Sequence, residues 1–249
     1  GMVACLMTGI VIPWGSNITV FGKVISLQIV DLDIGILYIF AVVSVGVYGI
    51  MIGGWASNNK FSLMGAIRAS SQIISYELSM GFAIVALIIM TGTLSLHQIV
   101  EQQHGFNWNI WYQPVGFIIF LICSFAETNR TPFDLPECET ELVGGYHTEY
   151  SSMSFALFFQ AEYVNMVTVS AVATDLFLGG WHTPFIPDAV GWLGFLLKIS
   201  FLLFFYVWMR WTLPRYRYDQ LMAFGWKVLL PVSVLNLLFV SAWVLYFGF

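Results

Sequence analysis

Long uninterrupted apolar runs dominate this 249-residue chain and leave few folds open to it. A helix that crosses the hydrocarbon core of a bilayer needs about 20 predominantly apolar residues. Six runs approach or meet that length, at Ile34–Ala56, Gln72–Met90, Pro114–Ala126, Met153–Leu178, Ala189–Met209 and Val228–Phe247. The third is short unless Trp111 and Tyr112 extend it as interface anchors. Val3–Pro13 is too short to span and reads as the tail of another helix. Only helices and closed barrels satisfy every backbone polar group in lipid. The runs are continuous rather than alternating, which favours helices over a barrel. The expected fold is all-α, a polytopic transmembrane helix bundle of six full spans plus a remnant, forming one domain over residues 1–249. Composition agrees: 9% of residues are charged and 59% hydrophobic, against about 25% charged in soluble domains. No internal repeat is evident.

Alternating spans divide the connections between two faces. One carries Lys60, Arg68, Arg130, Arg210, Arg215, Arg217 and Lys227. The other carries Lys23 with Asp31, Asp33, Glu101 and Asp188, while Lys198 lies inside a span. Lys and Arg excess marks the cytoplasmic or matrix side. A net charge of -5 without a basic patch gives nucleic acid no footprint.

On the basic face lies the most polar stretch of the chain, residues 126–150. It holds Glu127, Asp134, Glu137, Glu139, Glu141 and Glu149 with a single Lys or Arg, Arg130. Asp134-Leu135-Pro136-Glu137 has the form of a helix start, with an Asp cap and Pro in the first turn. Pro132, Pro136, Gly144 and Gly145 argue for a specific shape over 127–152 rather than a tether. Arg130 could orient a ligand, pair with Asp134, or anchor the loop to the basic face. A solvated surface loop remains open on composition alone.

Two further acids lie within spans. Glu77 is about 8 Å and Glu162 about 14 Å inside theirs, at 1.5 Å per residue. Intramembrane acids are costly and usually mark ion paths. Low dielectric and like-charged neighbours both favour the protonated form of a carboxyl, and interacting groups titrate as a set. The structural alternative is that each acid is neutral and hydrogen-bonded, and only holds helices together. Asp175, near the far end of its span, fits either reading.

The remaining signals are weaker. Cys5, Cys123 and Cys138 are far apart, without a C-x-x-C, and support neither an iron–sulfur nor a zinc site. Cys5 and Cys123 read as small core residues. His97, His104, His147 and His182 fall in polar connections, which speaks against a bis-histidine haem bundle. Residues 210–227, with Trp211, Tyr216 and Tyr218, read as an interfacial loop or a docking surface. Gly53-Gly54 and Gly179-Gly180 read as span terminators. Without a charged n-region, a signal peptide is not expected, and the apolar start suggests an N-terminally incomplete chain.

Several stretches together resemble one family. They are Ala126-Glu127-Thr128-Asn129-Arg130-Thr131-Pro132-Phe133-Asp134-Leu135 with Glu137, Glu139, Glu141-Leu142-Val143, Gly145 and Glu149-Tyr150. Ile74-Ser75-Tyr76-Glu77, Phe158-Phe159-Gln160-Ala161-Glu162-Tyr163 and Leu213-Pro214-Arg215-Tyr216-Arg217-Tyr218-Asp219-Gln220-Leu221-Met222 extend the match. This pattern resembles the quinone-proximal membrane subunit of respiratory complex I, over nearly the whole chain. The family has eight transmembrane helices, so the resemblance implies that a first helix, an amphipathic segment and part of a second are missing. It implies a subunit of a proton-pumping NADH:quinone oxidoreductase, with quinone as substrate and no cofactor bound by this chain alone. Iron–sulfur clusters and FMN would sit in partner subunits: the peripheral arm supplies electrons, and antiporter-like and small membrane subunits complete the membrane part. Glu77, Glu127 and Glu162 would form the proton path. Arg130, Asp134, Glu137, Glu139, Glu141 and Glu149 would form the quinone-chamber loop.

The Gly179–His182 and Trp55–Lys60 stretches look more like bacterial members, which suggests a bacterial cytoplasmic membrane over the mitochondrial inner membrane. Three alternatives stay open. One is the homologous membrane subunit of a membrane-bound hydrogenase or formate hydrogenlyase. The others are a standalone ion transporter and a structural anchor for a peripheral enzyme.

Overall fold

The computed structural model describes residues 2–16, 18–20, 23–134, 145–184 and 190–247. The chain opens with α1 (Met2–Gly9) and an antiparallel ribbon of β1 (Ile18–Val20) and β2 (Lys23–Ile25), in register Ile18↔Ile25. Then follow α2 (Gly35–Ala56), α3 (Lys60–Thr91), α4 (Leu96–Gln102), α5 (Asn109–Tyr112) and α6 (Pro114–Glu127). A 3-10 turn (Gly145–His147) precedes α7 (Ser152–Phe177), α8 (Gly191–Thr212) and α9 (Tyr218–Phe224). Through a widened π turn at Gly225–Leu229, α9 runs on into α10 (Leu230–Phe247).

The polytopic helix bundle read from the sequence is present. Five helical segments are long and apolar enough to cross a membrane: α2, α3, α7, α8 and the continuous run Tyr218–Tyr246. Their apolar windows have mean hydropathies from 1.3 to 2.3. The third expected span is the shorter apolar helix α6, of 14 residues. Trp111 and Tyr112 do not lengthen it, because they belong to the separate turn α5 and Pro114 begins α6 anew. Large apolar side chains such as Phe201, Phe204, Leu238 and Phe239 point outward, as they do where lipid rather than water is the solvent.

Two spans outrun their expected limits. The second, expected from Gln72, begins at Lys60, and its 32 residues make a helix of about 48 Å. The Asn59 side chain accepts from the Phe61 amide at its start, and Gly92 in the left-handed region ends it. Hydropathy missed the first three turns because they carry Ser62, Arg68, Ser70 and Ser71, which face protein rather than lipid. The last span, expected from Val228, begins at Tyr218, so the supposed interfacial loop narrows to residues 213–217. The ribbon and the short helices α4 and α5 sit in connections without any apolar period long enough to announce them.

Helix α3 organises the bundle, packing against α2, α6 and α10. The core around it includes Tyr76, Met80, Ile84, Leu87, Phe120 and Phe177. Gly179 and Gly180, both at positive φ, end α7 as expected. Gly53 and Gly54 do not end α2, which continues to Ala56. A Cβ on Gly54 would overlap the Cβ of Ala66, so this glycine lets α2 and α3 approach closely. We expect Gly54→Leu to destabilise the protein by at least about 1–3 kcal/mol through overpacking. Gly81→Ala, where a Cβ meets nothing within 4 Å, should be neutral or stabilising. Thermal unfolding of the two variants side by side checks both.

Candidate functional site

The site begins where α6 ends. Thr128 caps the helix, its hydroxyl donating to the Ser124 carbonyl at 3.0 Å. Asn129 follows at φ 49, a left-handed conformation that asparagine tolerates. The Arg130 amide then returns to the Phe125 carbonyl at 3.4 Å, the six-to-one bond of a Schellman ending. This tight reversal turns Arg130 back into the bundle, with its side chain only 6% exposed.

Its partner there is Glu162 of α7. Arg130 Nη2 lies 3.3 Å from Glu162 Oε2, and the guanidinium covers the Tyr163 ring at 4.5 Å. Glu162 Oε1 accepts a 2.9 Å hydrogen bond from the hydroxyl of Tyr146, a fully buried residue of the acid-rich stretch. The pairing with Asp134 that the sequence left open does not form. Asp134 instead meets Arg215 at 3.1 Å.

Glu127, 8% exposed, accepts from Asn165 Nδ2 at 3.3 Å. A cavity of about 70 Å³ is lined by both Glu127 and Glu162, with Asn165, Tyr146 and Val43. A second, of about 20 Å³, touches Glu127, Val43, Met80 and Thr168 deeper in the bundle. A water needs about 10–15 Å³ and polar partners; the larger cavity offers both, whereas the smaller is lined mostly by apolar side chains. Glu77 is bound to the Ser44 hydroxyl of α2 and lies close enough to Glu127 for their charges to interact. The structure thus brings Glu77, Glu127 and Glu162 into one region of α3, α6 and α7.

The stretches singled out in the sequence also converge. Gln72 of α3 donates to the carbonyls of Ala126 and Phe133, both at 2.9 Å. Phe133 stacks on Tyr216 and meets Tyr76. The Tyr216 amide donates to Pro132 O at 3.2 Å. Tyr76 donates to the Leu221 carbonyl at 3.0 Å, just before the π turn.

Not every candidate joins this region. Glu149 is at the surface, accepting from Asn59 at 2.8 Å. Glu137, Glu139 and Glu141, and all of the expected Asp134–Glu137 helix start but Asp134 itself, fall at residues 135–144, outside the described residues. Asp175, ambiguous in the sequence, is fully buried at the other end of α7 and interacts electrostatically with Lys198. Lys198 donates to the carbonyls of Leu178, Gly180 and His182 at 2.7–2.9 Å, an ammonium cap on the end of α7. Among the described residues no group of three or more His, Cys, Asp or Glu could hold a metal ion.

Asn165, Ser44 and Tyr146 were not singled out in the sequence. Asn165 had a signal, since it lies three residues after Glu162 on the same helix face. Ser44 and Tyr146 had none beyond being polar.

Residues 1–241 match the family model described as NADH dehydrogenase. The chain belongs to the NADH dehydrogenase family. It is 58% identical to an H-type subunit of the NADH-quinone oxidoreductase of Cytophaga hutchinsonii, over 99% of this chain and 74% of that protein. It is 58% identical to the H-type subunit of the same enzyme in Flavobacterium psychrophilum, over 95% of this chain and 72% of the relative. For a further H-type subunit, from Geobacter metallireducens, the identity is 55%, over 91% and 68%. Its place as a membrane subunit of an oxidoreductase complex, read from the motifs, is therefore established.

The buried Arg130–Glu162 pair generates a prediction. Removing one partner of a buried ion pair costs about 3–5 kcal/mol, because the other is left uncompensated. Arg130→Met should therefore lower the unfolding temperature of the purified assembly sharply. The double variant Arg130→Met with Glu162→Gln should recover part of the loss. A double-variant loss equal to the sum of the two single losses would mean that the two groups are not coupled.

Proposed function

We propose that this chain is the quinone-proximal membrane subunit of a bacterial, proton-pumping NADH:quinone oxidoreductase in the cytoplasmic membrane. Its role is to pass the consequence of quinone reduction into the membrane. The observation that carries this reading is the shared cavity: Glu127 and Glu162 line one water-sized space beside the reversal that places Arg130. Glu77 lies within electrostatic reach of Glu127. The printed names of the relatives supply the reaction class.

In this reading, Arg130, Asp134, Glu137, Glu139, Glu141 and Glu149 belong to the loop on the quinone side. Quinone takes up electrons delivered by iron–sulfur and flavin groups of peripheral partner subunits, and protons with them. Withdrawing protons near the loop changes the charge facing Arg130. Arg130 is shared with Glu162, so the change biases Glu162. Water in the larger cavity relays it to Glu127, and the electrostatic interaction between Glu127 and Glu77 carries it on. From there it passes laterally to antiporter-like partner subunits. The scale is reasonable. Moving one charge against 100 mV takes about 2.3 kcal/mol, and a tenfold change in one protonation equilibrium is about 1.4 kcal/mol.

Glu127→Gln, Glu162→Gln and Glu77→Gln should each lower proton-coupled quinone reduction several-fold in intact assemblies. Asn165→Leu, which removes the donor to Glu127, should have a smaller effect. Turnover and proton uptake measured together in sealed vesicles provide the check. Undiminished coupled turnover in all three Gln variants would take these acids out of the path and leave the subunit an anchor.

A further inference from the structure

A cleft on the far side of α6 from the acid cavities is not used by the coupling path. Its volume is about 440 Å³, inside the range of about 300–1,000 Å³ that small-ligand sites occupy. Its walls are apolar: Leu121 and Phe125 from the last turns of α6, Met209 and Leu213 from the end of α8 and the link after it, Leu221 and Phe224 from α9. All lie in the half of the bundle that carries the basic connections. Leu213 also lines a second, polar pocket of about 400 Å³, formed with Asp134, Arg210, Trp211 and Arg215. Trp211 beside it is 83% exposed, as expected of a tryptophan at headgroup depth. Arg215 is held by Asp134, whereas Arg210 is exposed and has no carboxylate partner among the described residues.

We infer that this pair of pockets binds one anionic phospholipid, with an acyl chain in the apolar cleft and the phosphate at Arg210, next to Arg215. Three features select that occupant. The apolar and polar pockets share a wall, so a single amphiphile can fill both. Basic pockets between transmembrane helices on the cytoplasmic side suit anionic headgroups, because that leaflet is anionic. Guanidinium is the side chain best matched to phosphate, through paired parallel N–H donors. A quinone would suit the cleft by its tail, but an uncharged ring gives Arg210 no counter-charge. The site does not depend on the quinone reading of the acid cavities.

A bound lipid would do structural work there. It would wedge between α6 and α8 directly beneath the Phe133–Tyr216 stack and the Asp134–Arg215 pair, which join residues 130–134 to the 213–217 link. Its occupancy would thereby steady the reversal that places Arg130.

The test uses the whole purified complex, delipidated and then supplied with phosphatidylglycerol or phosphatidylcholine, with retained lipid counted by mass spectrometry. The unmodified complex should retain phosphatidylglycerol in preference. Arg210→Gln should lower that retention roughly fivefold, the size expected of one basic residue near an anionic leaflet, and lower that of phosphatidylcholine, whose phosphate is offset by its choline cation, by less. Leu213→Trp, which fills the shared wall, should lower retention of both. As a measurement free of substitutions, photoreactive phosphatidylglycerol should label residues 121–125 or 209–224 of the unmodified complex. The inference is overturned if both variants retain phosphatidylglycerol normally, or if the label falls elsewhere. It is overturned equally if Leu213→Trp expels quinone and not phospholipid.

Discussion

A guanidinium cannot be left uncompensated inside a membrane bundle, and much of this structure follows from how Arg130 meets that constraint. Buried at the end of α6, it has to find a carboxylate among its neighbours. It finds Glu162 of α7, 3.3 Å away, on a helix distant in sequence. Closing that contact draws the end of α6 against α7. The same approach brings Asn165 to Glu127 and leaves between the helices the cavity that both acids line. Tyr146 completes the arrangement, since its hydroxyl satisfies the other oxygen of Glu162. Its carbonyl is held by Ser62 of α3 at 2.9 Å.

The basic and opposite halves of the bundle solve the polar-burial problem differently. On the basic side, α3 offers a polar face of Ser62, Gln72, Ser75 and Tyr76. Each reaches a backbone or side-chain partner on another element or in its own helix. Trp226 extends the same face by donating to Ser75 Oγ at 3.2 Å. On the other side, one ammonium does comparable work. Lys198 gathers three carbonyls where α7 ends and lies over Trp108. One end is therefore a network with cavities and several acids, and the other a compact clamp. The cavities that touch Glu127 belong to the first.

Much of the fold was legible because lipid imposes a simple rule on sequence. Six apolar stretches appear where hydropathy placed them, and the basic residues collect at one end of the helices. The boundaries that failed share a cause. Residues 60–71 and 218–227 are more polar than a lipid-facing span, yet they are helical, and one face of each is held by protein: Ser62 holds Tyr146, Ser71 meets Tyr218 at 3.0 Å, and Tyr76 reaches Leu221. Hydropathy records the solvent a residue tolerates. It is silent on a polar helix face that another element covers.

The candidate site divides along the same line. From sequence alone came the helix-bundle architecture, the family, and the presence of Glu77 and Glu162 within apolar helices. Each depends on composition and order along one chain. The choice of partner came only with the tertiary structure: Arg130 with Glu162 rather than Asp134, Asp134 with Arg215, Glu127 with Asn165. Glu149, near in sequence, turned out to be a surface contact of Asn59. Which charges meet depends on how helices rotate and approach. That in turn is decided by packing details such as Gly54 against Ala66 and the reversal at Asn129, whose effect lies between helices rather than along any one of them.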